Sequence, residues 1–267
     1  MLYVALLFLP TVSSATDVPT YTVSTVYEAP ENAALGQLVV KNDTLYVVRR
    51  DNSTLVQVLP DGTGTVFAGG AASPSLLVPS FLPDGPLTAT EVSFGVLSNV
   101  AIDSKANLYA QVGKNTWRIS PEGQLTLFAG KKAFTLPFDP LTGMDGPAID
   151  AILPQPGGQG GAAIDGADNV FLRTSTAVPN IVKIDTTGLI TLYAGNGERG
   201  NAGDGGQATL AELYGLGQIV ADAAGNLYLA EADRGIRKIA ADGTITTIVS
   251  NRDAATVVQR DGVIDNI

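Results

Sequence analysis

The residues able to do chemistry in this chain are carboxylates, amides and arginines, because histidine and cysteine are both absent. Without histidine there is no Ser-His-Asp triad, no imidazole base and no imidazole metal ligand. Without cysteine there is no disulfide, thiolate nucleophile or thiolate metal site. The 26 acidic residues remain as acid-base groups or ligands for hard cations. Their placement argues for a humbler role. Asp103, Asp165 and Asp222 each stand four residues before an asparagine, namely Asn107, Asn169 and Asn226. Asp61, Glu122 and Asp242 each precede a glycine. Those pairings are turn chemistry, since Asp caps its own turn and Asn and Gly tolerate left-handed backbone. The alternating oxygen ligands and distal Glu of an EF-hand are missing. The glycine runs at 157–161 and 203–206 lack the Lys-Ser/Thr of a phosphate loop. No metal and no cofactor is therefore expected.

Composition narrows the partners. A net charge of −10 argues against nucleic acid, whose phosphates need neutralising Lys and Arg. With 45% hydrophobic residues the chain can bury a real core. Met1 to Leu9 is an apolar run too short to span a bilayer. It suits the core of a secretory signal, with Ser13 and Ala15 as small residues before a cut, although no Lys or Arg precedes it. Residues 1–15 are thus a candidate signal peptide, and 16–31 a lead-in or closing strand. Export to the periplasm or medium is expected, without membrane insertion once the signal is removed.

The elements that must position these groups come from a repeat. The Asp…Asn-aromatic string ends in Tyr109, Phe171 and Tyr228, and a degenerate copy runs from Asn42 to Tyr46. These aromatics are spaced 63, 62 and 57 residues apart. Each is followed by a strand, a Gly turn and a second strand ending in Phe67-Ala68-Gly69, Phe128-Ala129-Gly130, Tyr193-Ala194-Gly195 or Ile248-Val249-Ser250. A third string, Asp84-Gly85, Asp145-Gly146, Asp204-Gly205 and Asp261-Gly262, lies between units. One unit reads as four short strands, in the second at 99–103, 108–112, 116–120 and 124–129. Four-stranded antiparallel units in series are the signature of β-propeller blades. The blades fall at about 32–70, 71–130, 131–195 and 196–250, with a partial unit at 251–267. The only helical turn expected is near 209–214.

These strings resemble NHL repeats, best in the fourth unit, from Ala194-Gly195-Asn196-Gly197 through Gly203-Asp204-Gly205-Gly206 and Asp222…Asn226-Leu227-Tyr228 to Ile236-Arg237-Lys238-Ile239. The resemblance covers about residues 32–267. It implies an all-β propeller of the six-bladed NHL type, near the TolB-like and SMP-30/gluconolactonase propellers, and it looks like exported bacterial NHL-repeat proteins. Six such blades need about 360 residues at this repeat length. The chain therefore reads as a fragment of an incomplete six-bladed propeller. The family also favours Gly at the start of the innermost strand, where this chain has Gln37, Asn99, Gly161 and Gln218.

Antiparallel order places the inter-blade linkers and the second-to-third hairpins on one face, and the remaining turns on the other. The long-loop face receives Arg49, Arg50, Lys114, Lys131, Lys132, Arg173, Arg199 and Arg234; the other carries mostly Asp and Glu. Gln37, Asn99 and Gln218 would form a partial ring of amides at the channel mouth, suited to sugar hydroxyls or peptide groups, or else satisfying neighbouring strand ends. The binding candidates are Gln37, Asn99, Gln218, Arg49, Arg50, Arg173 and Arg234, with no catalytic residue assigned. The favoured function is a non-catalytic exported module that binds a protein, peptide or glycan on this face. The alternatives are a metal-dependent hydrolase like SMP-30/gluconolactonase, or a structural segment of a larger surface protein. The hydrolase is disfavoured because the strand interiors 38–40, 100–102, 162–164 and 219–221 carry no carboxylate.

Overall fold

The computed structural model describes residues 4–11, 20–70, 77–78, 87–95, 97, 99–130, 141–153, 161–174, 178–232, 235–250, 259–260 and 263–264. Four antiparallel sheets of consecutive strands form the blades of a β-propeller. The first blade holds Leu35–Lys41, Thr44–Arg49, Thr54–Val58 and Gly64–Ala68. The second holds Val100–Ile102, Leu108–Val112, Asn115–Ile119 and Gln124–Ala129. Ala162–Ile164, Val170–Arg173, Ile181–Ile184 and Leu189–Ala194 make the third. Leu216–Ala221, Leu227–Glu231, Gly235–Ile239 and Ile245–Ser250 make the fourth. The first strand of each blade touches that of the next, so these strands surround the axis. Ahead of the blades, Val4–Thr11 pairs with Thr20–Glu28.

One feature of the blades departs from the four-strand reading. A short stretch late in the linker adds an edge strand to the blade that follows. Leu87–Thr88 pairs with the outermost strand of the second blade and Gly146–Pro147 with that of the third. In the fourth, the addition shrinks to a single bridge between Gln207 and Thr244. A 3₁₀ turn follows each time, at Ala89–Glu91, Ala148–Asp150 and Ala208–Leu210. These hydrogen bonds satisfy a sheet edge that would otherwise be open.

Packing between blades follows one scheme. Each of the first three blades turns an aromatic face toward the next blade, which answers with aliphatic side chains and, in the second blade, Trp117. Tyr46, Val48 and Leu55 meet Val100, Leu108, Ala110 and Trp117. Tyr109 meets Val170, Leu172 and Val182. Phe171 and Ile181 meet Ile219, Leu227 and Leu229. Linker residues plug each seam, such as Phe94 and Leu97, Ala151 and Leu153, and Ala211 and Leu213. A β-bulge in each outermost pairing admits one extra residue. That residue is Phe67, Phe128 or Tyr193, and its ring stands edge-on to the anchor at 5.2, 4.7 or 4.8 Å between centroids. Edge-to-face contact is favourable because the positive ring edge meets the negative face.

The Ala-Gly after each of these aromatics ties the linker down. Gly69, Gly130 and Gly195 donate their N–H to the carbonyls of Ala89, Ala148 and Ala208 at 2.8, 3.0 and 2.9 Å. All three have positive φ, and a Cβ on Gly130 would stand 2.6 Å from the Lys114 carbonyl oxygen. Glycine is required there both by dihedral and by space.

The repeat sets the four aromatic anchors, Tyr46, Tyr109, Phe171 and Tyr228, at equivalent strand positions, where burial is expected. Equivalence holds: their cross-strand partners are Gln57, Arg118, Lys183 and Lys238 in turn. Burial holds for Tyr46, Tyr109 and Phe171, whereas Tyr228 is only half-buried. The reason is that no further blade packs over it among the described residues, and Ile248 replaces the edge-on aromatic.

A stability comparison tests this scheme. Phe171→Ala removes a fully buried ring and should cost about 3–5 kcal/mol, whereas Tyr228→Ala should cost roughly 1 kcal/mol. Urea unfolding midpoints of the two variants measure the difference; equal losses would show that the seam between the third and fourth blades is not special.

Candidate functional site

The acidic turns are built by one repeated device. Asp103 Oδ1 accepts the N–H groups of Lys105 and Asn107 at 2.9 and 2.8 Å, and Oδ2 accepts Asn107 Nδ2 at 2.8 Å and the Tyr109 hydroxyl at 3.1 Å. Asp222 repeats all four bonds with Ala224, Asn226 and Tyr228. Asp165 repeats the first three, since Phe171 has no hydroxyl. In the first blade a two-residue hairpin at Asn42-Asp43, with φ of 49° and 59°, replaces the motif. Neighbouring turns also clasp each other: Ser104 donates its N–H and hydroxyl to Asp168 at 2.8 and 2.6 Å. These carboxylates accept hydrogen bonds within turns or between neighbouring turns.

The amides on the opposite face are brought together as the repeat required, but they stitch blades to one another. Gly36-Gln37 and Gly217-Gln218 lie in bulges of the innermost strands, where the ladder releases them. Gln37 Oε1 accepts the Val100 N–H at 2.7 Å. Asn99 Oδ1 accepts the Ala162 N–H at 3.4 Å, and its Nδ2 donates to Gln218 Oε1 at 2.9 Å. Gly161, with no side chain, leaves the path from the second blade to the fourth clear. Asn99 is buried, Gln37 half-buried and Gln218 exposed. Gln218 therefore presents the most exposed amide of the three.

The arginines divide similarly. Arg49 pairs with Asp51, whose Oδ1 also accepts the Ala34 N–H at 3.2 Å. Partial burial opposes ionisation of Asp51, but the bonds from Arg49 outweigh it and the carboxyl stays below its usual range. Arg50 is exposed beside the Gly36 bulge, where a Cβ would come 3.0 Å from its Nε. Arg173 is 3% exposed, and desolvation pushes its pKa down. Its backbone carbonyl accepts Gln111 Nε2 at 3.2 Å. Arg173 was expected as a surface contact; it is instead part of a buried polar layer under the loops, because its strand position faces the fourth blade. Arg234 lies outside the described residues.

A charged cluster escaped the sequence reading. Arg237, 2% exposed, donates Nε and Nη2 to Asp204 Oδ1 at 3.0 and 2.8 Å and Nη1 to the Glu212 carbonyl at 2.7 Å. Glu231 Oε2 lies 3.9 Å from Nη1, and its Oε1 accepts the Tyr214 N–H at 3.1 Å. Asp204 Oδ2 accepts the Thr247 N–H at 2.9 Å. The cluster clamps the linker of the fourth blade to its third strand. Its signal was available: Arg237 occupies the strand position of Val56, Trp117 and Val182, so a cation there demands a buried partner.

Among the described residues, no three carboxylates converge as a metal site, and no helix is long and apolar enough to cross a membrane. A cleft of about 310 Å³ opens at the periphery of the second and third blades, walled by Arg118, Phe128, Pro147, Ile149 and Thr187.

No family model and no curated protein sequence matches this chain. Solved structures do. A Bacteroides thetaiotaomicron structural-genomics protein of unknown function superposes with a TM-score of 0.59 at 19% identity, over 82% of this chain and 50% of that one. A candidate gluconolactonase gives 0.50 at 12% identity, over 86% and 68%. A gluconolactonase from Xanthomonas campestris gives 0.49 at 11%, over 85% and 66%, too slight a likeness to carry an argument. Such identities share the propeller fold alone. The chain spans about half the length of the Bacteroides protein.

Acid should loosen the turns first. The side chain of Asn226, with its backbone N–H, holds Asp222 below its ordinary pKa, and Ser104 does the same for Asp168. A carboxyl depressed in the folded state stabilises the fold above its unfolded pKa of about 3.9, and that contribution disappears as pH falls through the lower folded value. Unfolding midpoints should therefore fall between about pH 5 and pH 2. Asp222→Asn should flatten the decline; an unchanged slope would remove these turns from the explanation.

Proposed function

We propose that the chain is a non-catalytic, exported binding module of the NHL-repeat kind, which takes a protein, peptide or glycan on its long-loop face. The observation that carries this reading is the contrast between the faces. On one, the repeated aspartates Asp103, Asp165 and Asp222 are committed to turn bonds. On the other, an exposed amide at Gln218 sits in a bulge of the fourth blade's innermost strand, and an exposed cation at Arg50, just past the second strand of the first blade, stands beside the Gly36 bulge. Amides and guanidinium groups suit sugar hydroxyls, peptide groups and carboxylates. Loops on a rigid scaffold vary in chemistry without disturbing the core. Export rests on the apolar run at 1–9 with small residues at 13 and 15.

A second reading is a metal-dependent hydrolase, favoured by the likeness to the candidate gluconolactonase. It requires channel carboxylates, and the interiors of the four innermost strands supply none.

Glycan and peptide microarrays probed with the full chain decide between them. Any specific binding should fall by about tenfold or more when Arg50→Ala is combined with Gln218→Ala, the scale of about 1.4 kcal/mol expected of true contact residues. Glu122→Gln and Asp242→Asn on the opposite face should leave it intact. Loss through the second pair alone, or lactone hydrolysis that needs a divalent cation, would overturn the binding assignment.

A further inference from the structure

The three internal seams define what covers a blade face, and among the described residues one such face is bare. On the side of the fourth blade that bears Tyr228, Val220 is 58% exposed, Ile236 38% and Ile248 49%. The residues equivalent to Ile236 in the first and third blades, Leu55 and Ile181, are fully buried under the blade that follows. At the other end, the first blade has the complementary aliphatic face, open along its innermost strand. Leu38 and Val40 there are 42% and 53% exposed, while Val47, Val56 and Val58 are already buried beneath Tyr27. The Tyr27 ring occupies the outer part of this face, against Gly64 and Val56, where linker residues plug the internal seams.

Charge matches as well as shape. Lys238 stands across the ladder from Tyr228, with its Nζ 5.8 Å from the ring centroid. Its equivalent in the second blade, Arg118, shares the peripheral cleft with Thr187 and Gly188, the outer turn of the third blade. The corresponding turn of the first blade is Asp61-Gly62: Gly62 donates to the Leu59 carbonyl as Gly188 does to that of Asp185. A blade-to-blade seam from the fourth blade to a first blade would thus bring Lys238 to an aspartate.

We propose that the aromatic face of the fourth blade is an interface for a second copy of this chain, which docks the aliphatic face of its first blade there, with Lys238 opposite Asp61 of that copy. The contact is head-to-tail, so it joins two different patches and can close into a ring or continue as a chain. It does not depend on the ligand-binding reading.

Sedimentation velocity of the full chain over a concentration series tests this. The chain should self-associate, and Val220→Asp should abolish association, because a carboxylate would be buried against aliphatic side chains. Position 220 is exposed, so folding survives this change, which circular dichroism verifies. Lys238→Glu and Asp61→Arg should each weaken association by about tenfold, and the double variant should restore it. A chain that stays monomeric at every concentration overturns the proposal. So does association that ignores Val220→Asp, or that the charge reversal fails to rescue, as a symmetric face-to-face pairing would give.

Discussion

Each blade is too thin to have a core of its own, and every other feature of the molecule answers to that constraint. Four short strands bury little unless a second layer covers them. The cover is always the next blade, with Tyr46, Tyr109 or Phe171 pressed against β-branched and leucine side chains. The bulge that swings Phe67, Phe128 or Tyr193 edge-on to the anchor thickens the same contact. The linker then returns across the seam, held at one end by the Ala-Gly string. Stability in such an array is a sum of blade terms and seam terms. A blade face without a neighbour is therefore the natural place for the molecule to be weak or sticky.

Polar side chains serve the same end at the channel mouth. Gln37 and Asn99 carry a hydrogen bond from each inner strand to the next, and Gln218 completes the stitch across Gly161. Arg237 fills in the fourth blade the position that Val56, Trp117 and Val182 fill in the others, with Asp204 and two carbonyls absorbing its charge. Breaking one partner of such a buried cluster strands the rest. The result is a rigid rim on which the linkers and the exposed Arg50 and Gln218 are displayed.

Much of this was legible in the sequence because it repeats. The spacing of the aromatics located the blades, and the Asp…Asn strings located turns whose bonds match the expected turn chemistry. Strand limits in the second blade agree within a residue or so with the reading from Val, Ile and Leu runs bounded by Gly and Asp. The edge strands at Leu87–Thr88 and Gly146–Pro147 were not legible, because two residues carry no periodicity and their pairing is decided across the seam. Arg173 was misplaced for a related reason. A strand-end arginine looks exposed until the neighbouring blade is set against it. Tyr228 shows the converse: an anchor in sequence is only half an anchor when its partner face is missing among the described residues.

The central claim is that protection resides in the seams. Native-state hydrogen exchange read by mass spectrometry measures it strand by strand. Leu108–Val112 and Val170–Arg173, buried along their whole lengths between two neighbours, should exchange most slowly. Leu227–Glu231, with a neighbouring blade on one side only among the described residues, should exchange faster despite the same hydrogen-bonded ladders on both edges. Equal protection in the three strands would contradict the account, because hydrogen bonding within a blade would then suffice to hold it.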